Sequence, residues 1–274
     1  MSLKNLLLAY SGEASFASSL AHAIRLARHH DAWITAIMRN GPSYIDRYGA
    51  GLTDALRAQL LSSEEADVKT AVTLFRDAVG AAGLDHRAEF LLPDQTGGLR
   101  PSEMARHYDL VITGPQSDLP GEEHHAASPD LIALRSGRPV VVVPGGYDAA
   151  TLTDHVLVAW DDKRSVARAL GDAMGILEGK RQATILTVGG ARPATPADGG
   201  IMRHLERHGI AAQHLHKTHR GRNVASVIKD TADEVGAGLI VMGAYEHSKL
   251  TQDLFGGVTH EVIRTTRVPV FMSH

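Results

Sequence analysis

Leu239-Ile240-Val241-Met242 runs into Gly243-Ala244-Tyr245-Glu246-His247-Ser248-Lys249-Leu250-Thr251-Gln252-Asp253-Leu254-Phe255-Gly256-Gly257-Val258-Thr259, and His260 to Arg267 follows with helical spacing. The first four residues read as a buried strand. The glycines mark a loop between that strand and the start of a helix. Such a junction can hold phosphate oxygens, because free backbone N–H groups point outward and the helix dipole favours negative charge. The spacing is neither the Walker pattern nor the G-x-G-x-x-G dinucleotide pattern.

Working outward, the stretch proves to be one of a pair. Leu6-Leu7-Leu8-Ala9-Tyr10-Ser11 resembles Val156-Leu157-Val158-Ala159-Trp160-Asp161, 150 residues later, and Trp33–Met38 resembles Ala183–Val188 at the same offset. Asp109–Gly114 resembles Gly238–Gly243, and Arg138–Val143 resembles Val268–Met272. Four matches in one order predict two copies of one domain, at 1–147 and 152–274. The shortened later offset places about twenty extra residues in the first copy, within Asn40 to Glu65.

Each copy alternates strand and helix. The first predicts strands at 5–10, 33–38, 87–92, 109–114 and 139–143, with helices at 14–29, 52–83 and 129–136 and a short one after Pro101. The second predicts strands at 155–160, 182–188, 211–216, 238–243 and 269–272, with helices at 164–178, 198–208, 222–235 and 258–266. The strands are mostly continuous apolar runs, as expected when helices cover both faces of a parallel sheet. The fold expected is α/β: two tandem, doubly wound, parallel five-stranded sheets related by a pseudo-twofold axis. Ligands bind such sheets at the carboxyl ends of strands where the order reverses, so the loops after the first and fourth strands are the candidates.

Bulk properties narrow the function. A formal charge of −3 argues against a general polyanion binder, so no nucleic-acid partner is expected. The absence of cysteine excludes disulfides, thiolate metal sites and cysteine nucleophiles, and fits a reducing cytoplasm. No apolar run approaches the roughly 20 residues of a membrane-spanning helix, so no membrane partner is expected. The start, Met1-Ser2-Leu3-Lys4-Asn5, lacks the layout of a signal peptide.

Residues 238–272 carry a more specific likeness. Leu239–Tyr245, Phe255-Gly256-Gly257-Val258-Thr259 and Val268-Pro269-Val270 resemble the nucleotide loop and last strand of the universal stress protein family, whose loop reads G-x2-G-x9-G-[S/T]. The resemblance implies a Rossmann-like fold of the adenine nucleotide alpha hydrolase type. It implies a cofactor, an adenine nucleotide (ATP, ADP or AMP, with or without Mg), that folding does not require. Asp161 falls where the family reads the base or sugar, and Val188 where a backbone contacts adenine. Ala159 and Met242, at the ends of the adjoining strands, belong to the same expected nucleotide-binding set. Gly243, Gly256, Gly257, Val258 and Thr259 would hold phosphates. The residues also admit plainer readings. Asp161 and Asp162 can end a strand and cap the next helix, and Gly256-Gly257 can simply permit a tight turn. Glu246 replaces the loop's middle glycine and puts negative charge near the expected phosphates, while Gly257 replaces the Ser/Thr.

The first copy departs further. Ser11 stands where the aspartate should be, Ala127-Ser128 replaces Gly-Ser, Pro115 lacks an N–H, and Glu122 and Glu123 would repel phosphate. Its nucleotide site is expected to be degenerate. No catalytic residues are assigned, so hydrolysis is expected to be weak at most. No metal site is assigned either, although His204 and His208, and His214 and His216, each share a face. The run Lys217 to Arg222 reads as a solvated basic turn. Two functions follow, beside a third, a nucleotidyl-transfer enzyme of the wider nucleotide-binding fold, for which the sequence offers no catalytic group. One is a cytoplasmic stress-response or regulatory protein binding an adenine nucleotide in the C-terminal domain. The other is a non-nucleotide scaffold for a protein partner, with both sites degenerate. In either case, exposed edge strands favour internal pairing of Val140–Val143 with Val268–Met272.

Overall fold

The computed structural model describes residues 3–39, 51–117, 125–148, 154–177, 182–189, 200–244 and 257–274. The first half contains β1 (Asn5–Ala9), α1 (Glu13–His30), β2 (Trp33–Ile37), α2 (Asp54–Ala81), β3 (Ala88–Leu91), α3 (Pro101–Met104), β4 (Leu110–Thr113), α4 (Pro129–Ser136) and β5 (Val140–Val142). The second contains β6 (His155–Ala159), α5 (Arg164–Leu177), β7 (Gln182–Val188), α6 (Gly200–Arg207), β8 (Ala212–Lys217), α7 (Val224–Val235), β9 (Leu239–Gly243), α8 (Val258–Thr265) and β10 (Val270–Ser273). Side-chain oxygens mark several helix starts: Thr53, Ser128 and Asn223 each accept from a backbone N–H in the first turn.

All ten strands join one sheet in the order β3-β2-β1-β4-β5-β10-β9-β6-β7-β8. Within each half the pairs are parallel. At the centre β5 and β10 pair antiparallel, with Val142 opposite Val270, Val141 opposite Phe271 and Val140 opposite Met272. Equivalent strands therefore meet head to tail, and the order reads the same from either edge. That is the pseudo-twofold relation the repeat implies.

The registers adjust one alignment. Ala9 lies beside Ile37, and its equivalent Ala159 lies beside Leu186. The second strands thus correspond one residue closer than the apolar pattern suggests, and Arg39 rather than Met38 is the counterpart of Val188. A run of apolar residues carries no phase of its own. Only the hydrogen-bonded neighbour sets it.

The strands are buried on both faces. Leu6 and Leu8 face one core with Val156, Val158 and Phe271, while Leu7 and Ala9 face the other with Leu157, Ile240 and Met272. Each core therefore runs through the central pair and belongs to both halves. The six facing side chains of β5 and β10 are all within 1% of full burial, a gross contribution on the order of 10 kcal/mol.

The extra length of the first copy goes partly into α2. It has 28 residues against eight in its counterpart α6. Only Ala71, Phe75 and Val79, in its later turns, are buried. The remainder of the expected insertion, 40–50, lies outside the described residues.

Two glycines set how closely a helix crosses the sheet. A Cβ on Gly114 would lie 2.1 Å from Ser15 Oγ, and one on Gly243 would lie 2.3 Å from Ser165 Oγ and 2.7 Å from the Val166 backbone nitrogen. Both serines lie in the first turn of their helices, Ser15 as the third residue of α1 and Ser165 as the second of α5. Two outcomes are expected in urea unfolding. Gly243→Ala should lose about 1–3 kcal/mol, because the Val166 backbone cannot rotate away. Phe271→Ala should lose about 3–5 kcal/mol, because its cavity opens in a core shared by both halves.

Candidate functional site: a crevice at the carboxyl ends of β6, β7 and β9

The chain leaves β1 for β2 on one side and later returns to β4 on the other. The strand order therefore reverses between β1 and β4, and equivalently between β6 and β9. The crevice outside the carboxyl ends at that point is where doubly wound sheets take ligands.

In the second half this crevice gathers most of the residues singled out above. Ala159 ends β6 in register with Met242 of β9. Asp161 follows on the loop, Val188 ends β7, and Gly243 ends β9. Gly257 is the N-cap of α8 and has no side chain to cap it, so the first N–H groups of Val258 and Thr259 are left to other acceptors. Ala159, Trp160, Thr187, Val188 and Gly257 are partly exposed, and Asp161 and Val258 are exposed. Gly256 and Glu246 lie outside the described residues.

Two residues are turned inward. Met242 is 5% exposed and its side chain sits in the core, so only its backbone borders the crevice. Thr259 is buried, and its hydroxyl donates to the Gly243 carbonyl at 3.5 Å. A buried hydroxyl needs a partner, and the strand end provides it.

Asp161 does make the plainer turn. Its Oδ1 accepts from the Lys163 backbone N–H at 3.3 Å, and Oδ2 lies 3.6 Å from Lys163 Nζ. Asp162 beside it takes a left-handed φ of 62°. Yet the Asp161 side chain is 53% exposed, so the carboxylate still faces solvent. An ion pair this exposed is worth at most about 1 kcal/mol, so a ligand can displace it.

The first half presents a different surface. Ser11, the counterpart of Asp161, is 1% exposed. Its Oγ accepts from the Gly114 N–H at 2.8 Å and lies 3.0 Å from Ser15 Oγ. Its carbonyl accepts from the Ser117 N–H at 2.8 Å. Ala9, Tyr10 and Met38 are buried where Ala159, Trp160 and Thr187 are partly exposed. Residues 118–124, with Glu122 and Glu123, lie outside the described residues.

The His204 and His208 rings lie with centroids 4.9 Å apart, tilted by 59°, and His214 Nε2 bonds to Thr187 Oγ1 at 3.0 Å. Among the described residues no three His, Asp or Glu side chains converge as a metal site. In the basic turn, Lys217 pairs with Glu234 and Arg222 with Asp230. The Arg222 guanidinium holds the Asp230 carboxyl below its ordinary range.

Sequence reasoning missed the pairing of Arg39 with His125. The Arg39 N–H donates to the His125 carbonyl at 3.1 Å, and His125 Nδ1 meets the Arg39 carbonyl at 3.2 Å. The two lie 86 positions apart, and no local pattern links them. The serines under the two glycines could have been found, since Ser15 and Ser165 share the offset of the first strands.

Residues 153–274 match the family model described as the universal stress protein family. No curated protein matches the chain. Among solved structures it is similar to a universal stress protein from Archaeoglobus fulgidus DSM 4304, with 17% identity, a TM-score of 0.70 and coverage of 97% of this chain and 94% of that one. It is also similar to a putative universal stress protein from Pseudomonas aeruginosa UCBPP-PA14, with 13% identity, a TM-score of 0.55 and coverage of 98% and 92%. A functionally unknown protein from Pseudomonas aeruginosa PAO1 gives 14%, 0.54, 98% and 92%. At such identities these structures speak for the fold alone. Among the described residues no helix is long and apolar enough to cross a membrane. Residues 153–274 are therefore a domain of the universal stress protein family, in a chain that carries that fold twice.

Proposed function

We propose that the second half binds an adenine nucleotide and that the protein acts as a cytoplasmic stress-response regulator, with binding rather than turnover as its output. The observation that carries this reading is the exposed Asp161 carboxylate at the point of strand reversal, where the first half buries a serine. Asp161 accepts a hydrogen bond from an exocyclic amine or a ribose hydroxyl. The Val188 backbone, at the end of β7, borders the base. Gly243, Gly256, Gly257 and the N–H groups of Val258 and Thr259 surround the phosphates, where the N-terminus of α8 adds a favourable dipole. Mg can accompany the phosphates. No residue is assigned as a general base, so hydrolysis is slow or absent.

A second reading, a scaffold for a protein partner, is favoured by one feature. Glu246 stands where the family loop has glycine, and a carboxylate a few ångströms from a phosphate costs on the order of several kcal/mol at an effective dielectric near 20.

Calorimetry with ATP, ADP and AMP decides between them. The expected result is one site per chain, weakened roughly 10- to 100-fold by Asp161→Ala through loss of a charged hydrogen bond. No heat from any of the three at millimolar ligand would exclude the nucleotide reading. In the same titration Glu246→Gly should strengthen ATP binding more than AMP binding, because repulsion grows with the number of phosphates. Equal effects on both would assign Glu246 no place near the phosphates.

A further inference from the structure

We propose that the crevice of the first half is a closed ligand site, occupied by the protein's own segment His125–Ser128, with His125 as the latch. The segment lies across the carboxyl ends of β1 and β2, beside the point of reversal between β1 and β4. Its backbone and one side chain satisfy the groups a ligand would use there.

Three hydrogen bonds fasten it. The Ala127 N–H donates to the Tyr10 carbonyl at 2.7 Å, just beyond β1. The Arg39 N–H donates to the His125 carbonyl at 3.1 Å, just beyond β2. The Arg39 carbonyl accepts from His125 Nδ1 at 3.2 Å. A carbonyl can only accept, so Nδ1 carries the proton in this contact. Arg39 thus has both backbone polar groups taken by one residue. A flat heteroaromatic ligand with a donor and an acceptor on one edge would make the same pair. Ser128 anchors the far end as the N-cap of α4, its Oγ accepting from the Leu131 N–H at 3.4 Å.

Burial follows from these contacts. Ala126 and Ala127 are 0% and 1% exposed, and His125 is 9% exposed. Behind the strap, Ser11 is tied to Gly114 and Ser117. This inference stands apart from the nucleotide reading, since it concerns the other crevice and needs no ligand.

Amide hydrogen exchange on the intact chain tests it. In the unaltered protein the Arg39 and Ala127 amides should exchange as slowly as those of Val111 and Ile112 in β4. His125→Ala should speed exchange at Arg39 and Ala127 at least tenfold and leave β4 unchanged. Exchange of Arg39 and Ala127 at loop rates in the unaltered chain would overturn the proposal. So would no change on substitution, or equal acceleration in β4, because His125 would then support the fold as a whole. Thiol labelling gives a second reading without background, since the chain has no cysteine. Ala127→Cys should label slowly with an aromatic disulfide reagent and at least tenfold faster with His125→Ala added. Ala36→Cys, placed in buried β2, should stay slow in both backgrounds. Labelling of Ala127→Cys that ignores the His125 substitution would overturn the latch.

Discussion

The antiparallel pairing of β5 with β10 is the contact on which the rest of the molecule depends. Taken alone, each half would end in a short, largely apolar strand with unpaired backbone groups. Such an edge is a template for aggregation. Joining equivalent edges removes both at once and makes the two apolar layers continuous across the chain. The antiparallel sense has a second consequence. Strands within each half are parallel, so the carboxyl ends of the two halves lie at opposite ends of the sheet. The two crevices face away from each other, and each can change without disturbing its twin.

That independence shows in one position. Ser11 and Asp161 occupy equivalent places after equivalent strands, but the solvent around them differs. A hydroxyl can be buried if it finds partners, and Ser11 has Gly114 and Ser15. A carboxylate buried there would meet a hydroxyl and one N–H, too little to replace its hydration. Asp161 is tolerated because its side chain stays half in water beside Lys163. The residue type and the openness of the crevice are therefore one choice. Solvent is shut out around Ser11 and reaches Asp161.

Much of this was readable before any coordinates. Every strand and helix lies within a few residues of its expected place, because apolar runs such as Leu6–Ala9 and Leu239–Met242 and capping residues such as Ser128 are local signals. The doubling was legible because two copies of one pattern stand in the same order. The register of β2 and β7 was not, since a strand buried on both faces has no alternation to fix its phase. Nor was the state of Thr259, whose hydroxyl turns to Gly243, or of Met242, whose side chain joins the core.

The sequence by itself determined the fold class, the repeat and the loop positions where a ligand could sit. Propensity, periodicity and turn chemistry act over a few neighbouring residues, and the chain states them directly. Only the tertiary structure decided how the first crevice is covered. That depends on contacts such as Arg39 with His125 and Tyr10 with Ala127, made between residues about a hundred positions apart. Their partners are chosen by how the sheet closes, and no local pattern of residues encodes that choice.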